Sequence, residues 1–473
     1  MLFNSYIFWA FFAVVILLYF KLPHKHQNRM LLVASYIFYG YWDYRFLSLI
    51  FISTVVDYFV ALNIAKQDDH KVRKQLLLLS VFTNLGFLGF FKYYNFFSNE
   101  FAAMLGTVGI DVSLPVLNII LPVGISFYTF QTLSYTIDTY RNKVEPTDKF
   151  FDFALYVSFF PQLVAGPIER ASHLLPQILQ VRKLDAPAFS EGLFLVISGL
   201  FKKIVIADNM APIVNTIFSK PVNELTGFEV LVGLYAFAFQ IYGDFSGYSS
   251  IAKGVARWMG FDLMWNFRNP YFSTSPSDFW SRWHISLSTW IRDYIYIPLG
   301  GGRLGNFLTF RNLVLTMFLG GLWHGAGWTF IVWGLFHGAI LVVYHAIEAA
   351  KGKDYFTQPK SLSRHIVFVI ILFHLTCISW LLFRAESMQQ VVDMLYLLAT
   401  DYRITDYSVY VLGNILFFVV PLMFFEYITE RKKDLLYLVT ANPVIQYISY
   451  LYMVMMLLFF VPLQKQVFIY FQF

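Results

Sequence analysis

His324 is the side chain whose setting most favours chemistry. It lies in the segment Leu322–Trp328 (LWHGAGW), at the end of an apolar run and with glycines on both sides. Those glycines allow backbone or substrate to approach closely. A neutral imidazole is the usual general base near neutral pH, so His324 is predicted to accept the proton of an attacking hydroxyl. A histidine that only packs or anchors a hydrogen bond would show the same pattern, and that interpretation stays open.

His284 is a second histidine in an apolar setting. A helix is predicted over Ser277–Tyr294, with Ser277 as N-cap and Asp278 in the first turn. The helical period places His284 in an apolar stripe together with Trp280, Leu287 and Ile291. A hydrogen-bonded core histidine is the structural alternative.

Both histidines belong to an unusual central segment, residues 243–327. Its charges sit among aromatic residues, and glycines and prolines interrupt it. It is too polar to cross lipid as one helix, and irregular backbone at membrane depth is tolerated only where protein buries it or where it lines a wet cavity. Polar groups placed there are usually functional. The candidate substrate-binding residues are Trp323, Asp278, Arg282, Arg292 and Asp293. For Arg292 and Asp293, a structural ion pair or other buried partners is the favoured interpretation.

The elements that position these residues are predicted to be membrane-spanning helices. Of the 473 residues, 58% are hydrophobic and 14% charged, which is too little charge to cover a soluble protein of this size. Apolar runs of spanning length recur from end to end, giving roughly a dozen spans. Predicted examples are Phe228–Tyr242, Val116–Ile137, Ile366–Phe383 and Val444–Val461. The chain is therefore predicted to be a single all-α, polytopic membrane domain over residues 1–473, in which residues 444–473 form the last span and an aromatic tail.

Basic residues predict the orientation of the spans. Clusters at 21–29, 66–74 and 431–433 mark cytoplasmic loops under the positive-inside rule. Two spans separate the first two clusters, so the N-terminus is expected outside. One span follows the last cluster, so the C-terminal tail is expected outside as well.

Several chemistries are not expected. The one cysteine, Cys377, rules out an internal disulfide and a cysteine-based zinc site, and no metal site or bound cofactor is predicted. No basic stripe interleaved with aromatics indicates nucleic-acid binding. The sequence has no nucleophile elbow, Walker A or H-E-x-x-H motif.

Long motifs resemble the membrane-bound O-acyltransferase superfamily, in its bacterial alginate O-acetyltransferase-like branch. They are RWHISLSTWIRDYIYIPLGG (282–301) and GGLWHGAGWTFIVWGLFHG (320–338), with further matches at 121–141, 156–170 and 241–254. The resemblance implies a ring of about a dozen helices around a thin central region of re-entrant or short helices, with funnels from both faces. His324 then matches the catalytic histidine of the family, and His284 its second, often polar, position.

The resemblance also implies a function. The donor is expected to be acetyl-CoA on the cytoplasmic side of a bacterial cytoplasmic membrane. The acetyl group is expected to pass across the lipid bilayer towards an extracytoplasmic polysaccharide, where a separate esterase-like acetyltransferase completes the transfer. His284 would orient the acceptor or donate to the developing oxyanion. Two alternatives remain: a relative that uses a D-alanyl carrier protein to modify teichoic acid, and a transporter of acyl carriers or lipid-linked sugars that performs no chemistry. The acceptor polymer is not encoded in any motif.

The C-terminal residues 468–473 (FIYFQF) offer one nucleophile, Tyr470. A phenol can carry an acyl ester, and the polar residues 464–466 could let the tail fold back into the outer funnel. Tyr470 is therefore predicted to receive the acetyl group at His324 and to present it outside. The alternative is that these aromatics only anchor the last span in the membrane interface.

Overall fold

The computed structural model describes residues 1–112, 114–164, 166–303, 305–352, 355–356, 361–462, 466 and 468–469. Every regular element in these ranges is a helix. The described chain divides into two compact units, the first comprising Met1–Phe189 and Val255–Met264 and the second Ser190–Gly254 and Trp265–Phe473. The single domain over residues 1–473 and the ring of spans stay predictions.

The first unit is built from the N-terminal helices. They are α1 (Tyr6–Tyr19), α2 (His24–Asp43), α3 (Leu47–Lys66), α4 (His70–Leu88), α5 (Tyr94–Thr107), α6 (Ile125–Tyr140), α7 (Phe150–Ser158), α8 (Phe160–Leu163) and α9 (Ala171–Leu179), with a 3-10 turn at Tyr44–Phe46 and a π-helical turn at Gly89–Tyr93. Its interior holds the carboxylate of Asp57, which is fully buried. Ser80 Oγ, Asn84 Nδ2 and Thr136 Oγ1 all donate hydrogen bonds to that carboxylate. Helices α3, α4 and α6 are therefore joined by a polar network that lipid could not replace.

The second unit carries the central segment. Its helices are α10 (Ala186–Leu200), α11 (Asp208–Ser219), α12 (Gly227–Trp258), α13 (Pro276–Arg282), α14 (Ile285–Ile291), α15 (Asn306–His324), α16 (Trp328–Lys351), α17 (Leu362–Arg384), α18 (Met388–Thr400), α19 (Asp406–Lys432), α20 (Tyr437–Thr440) and α21 (Pro443–Phe459). π-Helical turns occupy Phe201–Ala207 and Arg292–Tyr296, and 3-10 turns occupy Val222–Glu224 and Pro270–Phe272. The first residues of α10 and the last residues of α12 belong to the first unit.

Several of these helices have the length and composition to cross a membrane. Five segments qualify: His24–Lys66, His70–Thr107, Trp328–Lys351, Leu362–Arg384 and Asp406–Lys432. Three shorter apolar segments accompany them: Tyr6–Tyr19, Phe150–Leu163 and Pro443–Phe459. On α19, Phe424 is 62% exposed whereas the nearby Glu426 is 4% exposed. Apolar outside and polar inside is the pattern of a chain solvated by lipid, and the predicted all-α polytopic membrane fold is confirmed.

Two predicted spans differ from the helices. The span predicted at Phe228–Tyr242 continues as regular helix to Trp258, so the central segment becomes irregular only after that residue. The span predicted at Val116–Ile137 becomes helical only at Ile125. Pro122 lacks a backbone N–H, and Gly124 adopts a left-handed conformation with φ of 76°, so the helix cannot begin earlier.

Glycines let α15 and α16 pack with their backbones in contact. A Cβ atom on Gly334 would lie 2.4 Å from the carbonyl oxygen of Met317, and one on Gly321 would lie 2.2 Å from the carbonyl oxygen of Phe330. No side chain fits at either position. This contact fixes the end of α15, and therefore His324, against α16.

We expect Gly334→Ala to destabilise the protein by about 1–3 kcal/mol, because backbone cannot yield to the added methyl group. The matched control is Gly413→Ala on α19, where a Cβ atom would meet nothing within 4 Å. There, alanine should be neutral or stabilising, since it favours helix over glycine. Thermal unfolding of the purified protein in detergent measures both variants. Equal melting temperatures for the two would contradict the close-packing argument.

Candidate functional site

His324 is the last residue of α15 and lies in an aromatic box. Its side chain is buried, with 6% of the residue exposed. Its ring centroid lies 5.0 Å from that of Trp323, 4.9 Å from that of Trp333 and 5.1 Å from that of Phe383. Such a box keeps bulk water from the imidazole, which strengthens every electrostatic interaction around it.

The same histidine lines a cavity of about 550 Å³. Helices α13 to α16 and the π-helical turn at Arg292–Tyr296 form its wall. The remaining lining residues are Ser277, Trp280, Ser281, Ile285, Leu287, Ser288, Thr289, Ile291, Arg292, Tyr296, Leu313, Thr316, Met317, Gly320, Trp333, Leu341 and His345. A mostly apolar wall with a few hydroxyls and one guanidinium is typical of a site for a small organic ligand.

The predicted continuous helix over Ser277–Tyr294 is wrong, because the chain breaks at His284. That residue adopts a left-handed backbone, with φ of 43°. The residues on either side of His284 hydrogen-bond to the segment around Asn266–Arg268 instead of within one helix. Ile285 N–H donates to Asn266 O at 3.0 Å, and Arg282 O accepts the N–H of Arg268 at 2.9 Å.

The start of that predicted helix also shifts. Ser275, not Ser277, caps α13 by accepting the N–H of Asp278. Pro276 follows it at the first helical position, where its missing N–H costs nothing. Asp278 does lie in the first turn, as predicted.

His284 lies apart from the cavity wall. It is 1% exposed, and its ring packs 4.6 Å from that of Phe245 and 5.8 Å from that of Trp323. Trp323, itself 4% exposed, thus contacts both histidines edge-on. The structure brings His324, Trp323 and His284 together, with both imidazoles packed on the Trp323 ring, and of these three residues His324 lines the cavity.

The four charged candidates form ion pairs. Arg282 Nε lies 2.7 Å from Asp278 Oδ1, and its Nη1 lies 2.8 Å from Glu430 Oε1 on α19. Arg292 Nε lies 2.8 Å from Asp293 Oδ1. Of these residues only Arg292 lines the cavity. A role in substrate binding stays a prediction for all of them, as it does for Trp323.

Tyr470 lies outside the described residues, as do Gln464 and Lys465 of the predicted polar turn. Phe468 and Ile469 immediately before it are described, with 0% and 2% of their surface exposed. The Phe468 ring packs 4.5 Å from that of Tyr248 and 6.2 Å from that of Phe245. These two residues therefore pack inside the second unit and are not exposed on its surface.

Two residues of the site, Trp280 and Trp333, were not predicted from the sequence to belong to it. Trp280 and Trp333 line the cavity, and their indole nitrogens are buried without a hydrogen-bond partner among the described residues. Both rings pack on His337, at 4.9 and 4.6 Å. An indole N–H can only donate, and neither nitrogen has an acceptor beside it among the described residues. Trp333 lies nine positions after His324 in the sequence, and only the hairpin of α15 and α16 brings the two rings together.

Fold and site define a class of protein: a multi-pass membrane protein in which a buried histidine faces a ligand-sized cavity. A family model described as MBOAT, membrane-bound O-acyltransferase family, matches residues 37–384. The chain belongs to this family, and the assignment made from its motifs is confirmed. It is an O-acyltransferase.

Three relatives are similar to this chain over more than half of its length. The chain is 42% identical over 396 residues to a probable alginate O-acetylase of Pseudomonas putida, covering 83% of this chain and 79% of that protein. It is 38% identical over 427 residues to a peptidoglycan O-acetyltransferase of Helicobacter pylori, covering 84% and 79%. A teichoic acid D-alanyltransferase of Bacillus subtilis is 27% identical over 291 residues, covering 58% and 71%.

We expect His284→Ala to lower acetylation about tenfold, because one orienting hydrogen-bonding group is lost and the base remains. His284→Asn distinguishes the loss of the imidazole from backbone strain, since asparagine tolerates the left-handed conformation that strains alanine. Acetylation per unit of membrane-inserted protein is the measurement. Full activity of the alanine variant would assign His284 to the core.

Proposed function

We propose that this chain transfers an acetyl group from a cytoplasmic donor, across the membrane, for O-acetylation of a cell-envelope or exported polysaccharide. The family membership and the two acetyltransferase relatives support the reaction class. The observation that carries the mechanism is the buried imidazole of His324 on the wall of a ligand-sized cavity. The greater identity to the acetyltransferases than to the teichoic acid D-alanyltransferase favours acetyl over D-alanyl transfer.

His324 acts as the general base. It accepts the proton of an attacking hydroxyl while that oxygen forms a bond to the carbonyl carbon of the thioester. The carbon–sulfur bond then breaks, and the proton passes from the imidazole to the departing thiolate. Trp333 lines the cavity, and its ring lies 4.9 Å from that of His324. Its indole N–H, which is buried here, would donate to the carbonyl oxygen once ligand binding exposes it, as negative charge develops there. The aromatic box protects the thioester from hydrolysis by excluding water.

Acetyl-CoA is the proposed donor, and the cavity is its proposed site. The Arg292 side chain pairs with Asp293 through Nε, is 58% exposed and lines the cavity. Its remaining N–H groups are the proposed contacts to the phosphates of the donor. His284 lies beyond Trp323, away from the cavity wall, which favours orienting the acceptor over contacting the donor. The protein would lie in the bacterial cytoplasmic membrane, with both termini outside.

Tyr470 is the proposed acceptor in a relay. Its phenol would attack the thioester, lose its proton to His324 and become an acetyl ester. An extracytoplasmic esterase-like acetyltransferase would then move the acetyl group to a polysaccharide hydroxyl, and the phenol would regain a proton. The burial of Phe468 and Ile469 near Phe245, which itself contacts His284, supports a tail that reaches the site. A relay also explains how a bulky polymer is acetylated from a site within the membrane.

Release of free CoA from acetyl-CoA by the purified protein tests the reaction class. A transporter that performs no chemistry would leave the thioester intact. A D-alanyl enzyme would instead require a charged carrier protein and would ignore acetyl-CoA. Either result would overturn the proposal.

We expect His324→Ala to reduce acetylation by a factor of about 10²–10⁴, the usual contribution of a general base. His324→Gln should be equally inactive, whereas a transporter would tolerate it. The control is His374→Ala on α17, which removes a histidine hydrogen-bonded to Tyr235 at 2.7 Å, outside the cavity. Near-normal acetylation by a well-inserted His324 variant would remove the histidine from the mechanism.

Tyr470→Phe retains the ring and removes the nucleophile. We expect polysaccharide acetylation to be lost at normal protein levels, because the phenol oxygen is the atom that would carry the acetyl group. Phe471→Tyr is the matched control, since it adds a phenol one position along and keeps Tyr470. Wild-type acetylation by Tyr470→Phe would make the tail an anchor only.

A further inference from the structure

A buried ionic cluster lies beside the C-terminal tail. Lys203 Nζ is 2.7 Å from Asp208 Oδ1 and 2.7 Å from Asp244 Oδ1. The three side chains are 1%, 8% and 3% exposed. One ammonium group faces two carboxylates, so the cluster retains acceptor capacity that another donor must satisfy.

Local backbone structure creates this cluster. Lys203 lies in the π-helical turn Phe201–Ala207, between α10 and α11. Glycines on α12 let that helix approach the turn: a Cβ atom on Gly243 would lie 2.8 Å from Lys202 O, and one on Gly247 would lie 2.9 Å from Lys203 N. Asp244 is therefore held directly against Lys203, deep in the second unit.

The C-terminal tail supplies the further donor. The backbone N–H of Ile469 donates to Asp244 Oδ2 at 2.7 Å, across 225 residues of chain. One turn along α12, Tyr248 packs against the Phe468 ring. The residue after Asp244, Phe245, contacts both Phe468 and His284. A single stretch of α12 thus contacts the tail, the ionic cluster and the site.

We propose that Asp244 is a positioning residue that clamps the backbone of the C-terminal tail, with Lys203 holding its carboxylate in place. The clamp fixes Ile469, the residue before Tyr470, and so sets where the chain delivers its next side chain. This role in delivery rests on the proposed relay through Tyr470. The clamp itself does not, because it concerns only described contacts.

Labelling of the tail tests the clamp without reference to catalysis. In a Cys377→Ser background, Ile469→Cys places one thiol on the tail and retains the backbone N–H. A membrane-impermeant maleimide should label it slowly, and Asp244→Asn should raise the rate about tenfold, the loss expected for a charge-assisted hydrogen bond. Asp208→Asn is the matched control, because it removes the other carboxylate of Lys203 and leaves the tail contact. No increase with Asp244→Asn, or equal increases with both, overturns the clamp.

A second pair of variants leaves the ionic cluster untouched. Ile469→Pro deletes the N–H that Asp244 accepts, whereas Ile469→Ala retains it. We expect polysaccharide acetylation to fall about tenfold or more with proline and to persist with alanine, at equal membrane levels. Equal acetylation by the two variants overturns the role in delivery. If labelling supports the clamp while Tyr470→Phe remains active, the relay fails and the clamp stands; if CoA release fails, the proposed reaction falls independently of both.

Discussion

The charged side chains that this chain buries are stabilised by partners within the protein, since lipid tails offer none. Asp57 is satisfied by three donors from α4 and α6. Glu426 accepts a hydrogen bond from Tyr242 and pairs with Lys202 at 3.1 Å. These networks tie together helices far apart in sequence, and the hydrophobic effect does little of that work in lipid. Close backbone packing at glycines supplies the remainder, as in the hairpin of α15 and α16.

The hydrophobic pattern of adjacent residues predicted most helices. It failed where hydrogen bonds or ion pairs to residues far along the chain determine the backbone. The predicted Ile366–Phe383 span corresponds to Leu362–Arg384, because an apolar run and its caps are written in adjacent residues. The break at His284 cannot be predicted from adjacent residues, since Asn266 and Arg268 form the backbone hydrogen bonds there. Likewise, the extension of α12 to Trp258 carries Asp244 inside the protein, where Lys203 makes a charge tolerable. Lys203 lies on another helical segment, so the residues around Asp244 in the sequence do not indicate this partner.

The candidate site likewise contains residues that the sequence indicated and residues that only the fold identifies. The glycine-rich surroundings of His324 marked it from sequence, and the structure adds the cavity that the histidine lines. The position of His284 off the cavity wall depends on the break before α14. Trp280 and Trp333 could not be selected from sequence, because the chain has 11 tryptophans and most would be expected to pack or to lie in interfaces. Their place on the cavity wall distinguishes them only once the fold is known.

The packing of His324, Trp323 and His284 has a consequence for bioenergetics. A membrane that stores a proton gradient tolerates no continuous file of water, since protons would leak along it. Trp323 packs an apolar ring edge-on against both imidazoles. If Tyr470 acts as the proposed relay, the acetyl group moves from donor to acceptor as part of a covalent ester, and no open water channel is needed. The acetyl group would then be transferred without opening a path for protons, and the proton-motive force would be maintained.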